Sequence, residues 1–174
     1  MHALQEGQDR VQSMALIHQN LYQDDNLTGV AVKDYFIKLI QNLFDSYNIR
    51  PEHVNLNLEI ENLNLDVDTV IPIGLIVNEL VSNSLKYAFP NKTSGQISVA
   101  LKEQDQQLIL KVEDNGIGID DIKKKELGES FGFRLIEVFK NQLKADLNIV
   151  SEGGAKVEMI IKKYSMAKEI IADV

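Results

Sequence analysis

The sequence predicts an α+β domain: one mixed, mostly antiparallel sheet with helices on one of its faces. Three observations carry this. Short runs alternate apolar and polar residues, as in Val54, Leu56, Leu58 and Ile60 against Asn55, Asn57 and Glu59, and again at Ile97, Val99, Leu101 and at Val157, Met159, Ile161. That is the period of strands with one face buried. Residues 31–47 and the stretch ending at Phe89 instead repeat apolar residues at three- and four-residue spacing, the period of amphipathic helices. The order of these runs is strand, helix, hairpin, helix, hairpin, which is an α+β rather than an alternating α/β pattern.

Taken in order, residues 3–23 read as a helix through Leu4, Val11, Met14, Ile17, His18, Leu21 and Tyr22, with Gly7 weakening its first turns. It opens without a clear cap, as though continued from a longer helical region. Asp24-Asp25-Asn26 and Gly29 mark turns. A second helix over 31–47 has a broad apolar stripe (Val32, Tyr35, Phe36, Leu39, Ile40, Leu43, Phe44, Tyr47) and ends at Asn48 and Pro51. After the strand 54–60, Asp68 or Thr69 is placed to cap the next helix, with Pro72 in its first turn and Pro90 beyond its end. Residues 97–101 and 107–113 form a hairpin around Gln104-Asp105. Residues 115–130 carry glycines and acids and Lys123-Lys124-Lys125, with little apolar periodicity, and read as a loop over a pocket holding at most a short helix. A helix over 131–142, a strand over 147–150, a turn at Gly153-Gly154 and a final strand follow, with a short helix expected in the tail 164–174.

The chain is long enough for one domain with a real core plus a helical appendage. It has no cysteine, which excludes disulfides and thiolate metal sites. Its net charge of -8 argues against non-specific nucleic-acid binding, which needs positive charge. No run reaches the roughly 20 apolar residues of a membrane span, and no signal peptide is visible. A cytoplasmic location is expected, and a longer parent anchored in a membrane elsewhere is compatible with it.

Chemistry concentrates in two places. In Asn78-Glu79-Leu80-Val81-Ser82-Asn83-Ser84-Leu85-Lys86-Tyr87-Ala88-Phe89, helical spacing puts Ile73, Val77, Leu80, Ser84 and Ala88 on one packed face. Glu79, Asn83 and Lys86 line up beside it, with Tyr87 at the border. On the bland reading these are a solvated face. What raises the signal is Asp114-Asn115-Gly116-Ile117-Gly118-Ile119, which follows the strand-like run Leu108 to Glu113. Gly116 and Gly118 permit positive φ and close approach of the backbone to a ligand. Ser130-Phe131-Gly132-Phe133-Arg134 opens a helix, where backbone amides and the helix dipole suit a phosphate.

Together these motifs resemble the nucleotide-binding boxes of the gyrase, heat-shock chaperone, histidine kinase and MutL ATPases, and most of all the catalytic domain of sensor histidine kinases whose phosphoacceptor box is His-x-Arg-x-x-Asn. The resemblance covers nearly everything from about residue 8 to residue 163. It implies a Bergerat-type two-layer sandwich with ATP between helices and sheet. It divides the chain into 1–28, the end of a dimerisation and phosphoacceptor region; 29–163, the ATP-binding domain; and 164–174, a tail. It implies that Asn83 holds a Mg²⁺ bridging the phosphates, that Glu79 serves as a general base or orders the metal's waters, and that Lys86 meets phosphate. Tyr87 would lie against adenine or ribose, Asp114 would accept the adenine 6-amino group, and Gly116, Gly118, Ser130, Phe131 and Gly132 would complete the ATP site. The implied reaction passes the γ-phosphoryl group to a histidine on an upstream helix absent from this chain, for relay to the receiver domain of a response regulator, within a parent homodimer.

Two departures stand out. Ala155 follows the Gly-Gly pair where the family usually has Thr, and the second glycine box is sparse. No His-x-Arg-x-x-Asn box occurs, so no phosphoacceptor is expected in this chain: His18 lies in Ile17-His18-Gln19-Asn20-Leu21-Tyr22, which resembles the second dimerisation helix rather than the first, and His2 and His53 have no motif around them. Two rival readings stay open, a superfamily ATPase or serine kinase and a degenerate nucleotide- or partner-binding module without turnover.

Overall fold

A computed structural model of the chain describes residues 29–48, 53–90, 94–119 and 130–167, together with Gly7, Val11 and Ala15, which are helical. The remainder of the helix expected over 3–23, with His2 and His18, lies outside the described residues, as do Lys123-Lys124-Lys125 and residues 168–174.

A two-residue strand β1 (Val30–Ala31) leads directly into α1 (Val32–Ser46). All seven of α1's stripe residues from Val32 to Phe44 are buried, as the spacing predicts. No side chain caps its start. The Val32 N–H donates instead to the Leu63 carbonyl at 3.0 Å, so a neighbouring loop satisfies one orphan donor of the first turn. Asn48, in the left-handed region at φ 51°, closes the helix by donating its N–H to the Asp45 carbonyl.

Strand β2 (Val54–Ile60) is followed by β3 (Asn64–Leu65), which pairs antiparallel with β1. Helix α2 (Val67–Tyr87) comes next. Its N-cap is Asp66, whose carboxylate accepts the Asp68 N–H at 2.9 Å; the cap is neither Asp68 nor Thr69. Thr69 is occupied otherwise, its Oγ1 accepting the Ser165 N–H at 3.0 Å. The earlier start also places Pro72 inside the helix rather than in its first turn.

Strands β4 (Gly95–Gln104) and β5 (Gln107–Asp114) form a hairpin whose two turn residues, Asp105 and Gln106, both have positive φ, as a type I′ turn requires. Helix α3 (Phe131–Gln142) and strands β6 (Asp146–Val150) and β7 (Lys156–Ile161) complete the domain. Over 162–167 no helix forms, and Met166 makes a bridge with Leu65. A bond from Asp66 N–H to the Ser165 carbonyl (2.9 Å) competes successfully with any local helix there.

The sheet order is β2-β4-β5-β7-β6. Only β2 and β4 run parallel, because α2 is the crossover between them; the other pairs are antiparallel. Alternate residues Ile97, Val99, Leu101, Leu108, Leu110, Val112, Val157, Met159 and Ile161 are buried on one face, beneath the helices. The opposite face carries polar residues such as the Lys111–Glu158 pair at 2.7 Å, which is exposed and contributes at most about 1 kcal/mol.

Helix α2 packs against α1 on one side, α3 on the other and β5 below. This explains why most of its residues are buried, including Asn78 and Glu79, which a two-sided helix would expose. Its approach to α1 is set by Gly74: a Cβ there would lie 2.3 Å from the Tyr35 hydroxyl, whose ring is fully buried and stacked edge-on against Phe36.

Gly74 therefore provides a direct test of the packing. Gly74→Ala should lower stability by about 1–3 kcal/mol despite alanine's better helix propensity, because overpacking at a rigid buried ring outweighs the roughly 1 kcal/mol of propensity. Tyr35→Phe removes a buried hydroxyl with no hydrogen-bond partner among the described residues, so it should cost less than about 1 kcal/mol by itself and rescue part of the Gly74→Ala loss. Urea melts of the two single variants and the double variant read this directly; a Gly74→Ala protein as stable as the parent would show that this contact does not set the approach of α2 to α1.

Candidate functional site

A cavity of about 280 Å³ opens between α2, α3 and the sheet. Leu80, Asn83, Ser84, Tyr87 and Ala88 of α2 form one wall, and Ser130, Phe133 and Ile136 of α3 face it. The floor is Val112 and Asp114 of β5, Val157 of β7, and Leu147 and Ile149 of β6, with Gly118, Ile119 and Ala155 at the edge. The lining is mostly apolar, with a few polar groups among it, which is the composition of a site for a flat, partly apolar ligand.

The most closely held of those polar groups is Asp114, the last residue of β5 and only 6% exposed. Its Oδ1 accepts the Gly116 N–H at 3.0 Å and the Ala155 N–H at 3.1 Å. Its Oδ2 accepts the Ser84 hydroxyl at 2.7 Å. A carboxylate offers about four acceptor directions. Three are filled by the protein, and the one left is on Oδ2.

The loop after Asp114 is shaped by what it must pass. Asn115 is structural: its Oδ1 accepts the Gln96 N–H at 2.7 Å and extends the β4–β5 pairing by one residue. Gly116 does not adopt positive φ; it is required because a Cβ would sit 2.3 Å from the Ala88 carbonyl oxygen at the end of α2, and Ile117 donates its N–H to that same carbonyl. Gly118 does adopt positive φ, at 74°, and a Cβ there would meet Ser151 Oγ at 2.6 Å. That hydroxyl accepts the Ile119 N–H at 2.7 Å and so fixes the rim of the cavity. Across the sheet, Gly154 at φ 125° lets the β6–β7 turn touch Asp114, where any Cβ would overlap the Asp114 carbonyl.

Of the residues singled out by sequence, Asn83, Tyr87, Asp114, Gly118 and Ser130 line the cavity. Tyr87 is 55% exposed and stands at the mouth. Ser130 caps α3, its Oγ accepting the Phe133 N–H at 3.2 Å, which brings the helix N-terminus to the cavity. Gly116, Phe131 and Gly132 do not line it; Gly132 is buried and Phe131 is 66% exposed. Glu79 is buried one turn before Asn83, beside the Asn78 side-chain amide, and is not in the lining. Lys86 turns the other way, its Nζ 5.7 Å from the centre of the Tyr47 ring on α1's side. Sequence reasoning missed Ser84, which it assigned to packing, and the Ala155 backbone. A hydroxyl in an otherwise apolar stripe was the available signal for Ser84, since a buried hydroxyl needs a partner.

Asn83 offers one neutral oxygen, half-buried at the cavity wall. Among the described residues no cluster of His, Asp and Glu could cage a metal by itself. A single amide oxygen is compatible with Mg²⁺, a hard cation that takes oxygen donors and fills its other positions with waters and a substrate's phosphates.

Residues 68–165 match the family model described as histidine kinase-, DNA gyrase B-, and HSP90-like ATPase, and residues 1–47 match a histidine kinase model. The chain is 29% identical over 121 residues to blue-light-activated histidine kinase 2 of Erythrobacter litoralis, spanning 69% of this chain but only 35% of that protein. It is 33% identical over 107 residues to the anti-sigma F factor of Clostridium kluyveri, covering 56% of this chain and 72% of that one. The histidine kinase domain of the Erythrobacter litoralis EL346 blue-light activated kinase superposes with a TM-score of 0.81 at 23% identity, covering 90% of this chain and 74% of that one. The mycobacterial sensor histidine kinase MprB gives 0.57 at 14%, covering 76% and 97%. These two likenesses are to the fold. With the matched model spanning more than half of its length, the chain belongs to the family of histidine kinase-, DNA gyrase B- and HSP90-like ATPases and carries the histidine kinase form of that ATPase domain.

Proposed function

We propose that this domain binds Mg-ATP and transfers the γ-phosphoryl group to a histidine on a dimerisation helix outside this chain, for relay to the aspartate of a response-regulator receiver domain. The observation that carries the nucleotide assignment is Asp114: a buried carboxylate on an apolar floor, its open acceptor direction matched to the 6-amino group of adenine. The observation that favours histidine as acceptor is the match of residues 1–47 to a histidine kinase model, which extends over residues preceding α1 as well as α1 itself.

In this reading adenine lies on Val112, Val157, Leu147 and Ile149, with the phosphates directed toward the N-terminus of α3, where Ser130, Phe131 and Gly132 bring backbone amides and the positive end of the helix dipole. Asn83 would hold the Mg²⁺, which when bound neutralises charge on the phosphates. Glu79, one turn earlier on α2, orders water or the incoming nucleophile. Tyr87 covers the sugar at the mouth. Lys86 meets phosphate by leaving the Tyr47 ring, an exchange of a weak cation–π contact for a charge-assisted one. The work of the domain is positioning and charge neutralisation, as phosphoryl transfer requires. The setting is cytoplasmic and the parent a homodimer; among the described residues no helix is long and apolar enough to cross a membrane.

The likeness to anti-sigma F factors, which covers the ATP-binding part, favours a second reading in which the same pocket serves a serine kinase or ATPase of the family. The identity of the phosphoacceptor separates the two.

Asp114→Asn keeps the shape of the site but turns an acceptor into a donor facing the amino group. ATP affinity measured by calorimetry should fall by about 1.5–3 kcal/mol; equal affinity would remove Asp114 from the site.

Asn83→Ala should weaken ATP binding strongly when Mg²⁺ is present and little in EDTA, because only the metal-bridged state uses the amide. Equal loss in both conditions would mean a direct ligand contact or a folding defect.

The chain should bind ATP without labelling itself, since the transfer needs an imidazole in line with the γ-phosphate. After incubation with radiolabelled ATP no acid-labile, base-stable phosphohistidine is expected on the chain, and a separately expressed upstream segment of the parent should acquire it. Label on the chain that disappears in His18→Ala would move His18 to the acceptor role; stable phosphoserine on an added partner would favour the second reading.

A further inference from the structure

Ser84 sits on the stripe of α2 that otherwise packs through Ile73, Val77 and Ala88, and it is 8% exposed. Its hydroxyl points across the cavity base and donates to Asp114 Oδ2 at 2.7 Å, a contact between residues thirty positions apart. We propose that Ser84 is a specificity-determining positioning residue: it locks Asp114 as an acceptor-only group whose last open direction accepts a purine 6-amino group and repels a 6-oxo group. The inference rests on the reading of this cavity as an adenine-nucleotide site.

The count of donors leads to it. Oδ1 is saturated by the Gly116 and Ala155 N–H groups, so the carboxylate plane is set by backbone and Oδ1 is closed to ligand. Oδ2 alone remains for the ligand, and Ser84 fills one of its two directions with a donated hydrogen. That hydrogen is then committed: the hydroxyl has no second proton to offer to a ligand carbonyl. A ligand oxygen at this point would meet lone pairs only, and an unpaired buried acceptor is penalised more than a made bond is rewarded. Without the Ser84 hydroxyl, that direction of Oδ2 is open to a mobile water, which can present a hydrogen to a 6-oxo purine. Selectivity should relax even where affinity survives.

The same geometry accounts for Ala155. A side-chain hydroxyl after the Gly153-Gly154 turn is not needed to hold Asp114, because the Ala155 backbone N–H already takes Oδ1 and Ser84 takes Oδ2 from the opposite side.

The test compares ATP with inosine triphosphate, which presents a 6-oxo group in place of the 6-amino group, by calorimetric titration of the full 174-residue chain with Mg²⁺. The parent should prefer ATP. Ser84→Ala should lower the ATP-to-inosine-triphosphate affinity ratio roughly tenfold, the equivalent of one charge-assisted hydrogen bond. Ser84→Cys, which keeps the volume and offers only a weak donor, should lower it in the same direction and supplies the answer should the alanine variant not fold. In an Asp114→Asn background, Ser84→Ala should leave the ratio where it is. A serine that merely packs would change both affinities by the same factor, so an unchanged ratio in folded Ser84→Ala or Ser84→Cys overturns the proposal, as does an equal fall in the Asp114→Asn background. A parent chain that binds neither nucleotide overturns the adenine-site reading and this inference with it.

Discussion

The structure turns on the carboxylate of Asp114. It is the point where α2, the end of β5 and the β6–β7 turn meet, joined by Ser84 and by the Gly116 and Ala155 amides. A buried charge left unpaired would cost several kcal/mol, so the surrounding backbone is constrained to bring those donors in. The constraints are visible as glycines: Gly116 where the loop crosses the end of α2, and Gly154 where the turn lies on the Asp114 backbone. The cavity floor and its polar centre are thus one object, and the carboxylate facing the cavity is also a joint of the fold.

The second constraint is that α2 has no free side over much of its length. It is enclosed by α1, α3 and the sheet, and this burial governs the chemistry of its side chains. Glu79 and Asn78 are withdrawn from solvent and adjacent to each other, Ser84 reaches the floor, and Asn83 is left half-buried at the wall. Lys86 follows the α1 side of the helix and settles over Tyr47. The same helix therefore presents an amide to the cavity and a cation away from it.

The segments around 29–31, 64–65 and 164–167 are tied together apart from the main sheet. β1 and β3 pair, Met166 bridges to Leu65, and the Ala167 N–H donates to the Asn64 carbonyl at 2.9 Å. Gly29, at φ 134°, is packed against Asn64 and Ala167 at this junction. Tyr164 anchors the same segment to β4 through a 2.5 Å bond to Glu103.

The sequence by itself determined the α+β class, helices α1 and α3 to within a residue at each end, and each strand of the main sheet to within three residues at either end, because apolar periodicity records which face of an element is buried. It also singled out Asp114, Asn83 and Gly118, whose residue types are unusual beside a buried strand end and an apolar helix face. The tertiary structure decided what periodicity cannot encode. Two-residue strands such as β1 and β3 are too short to show a period. The cap at Asp66, rather than Asp68 or Thr69, depends on where the C-terminal segment claims Thr69. Gly116 proved to be a matter of clearance from Ala88 and not of its own φ. Lys86 was separated from Asn83 by the position of Tyr47. Ser84 became a partner of Asp114 because a hydroxyl's role is set by what lies across from it, and that neighbour belongs to another part of the chain.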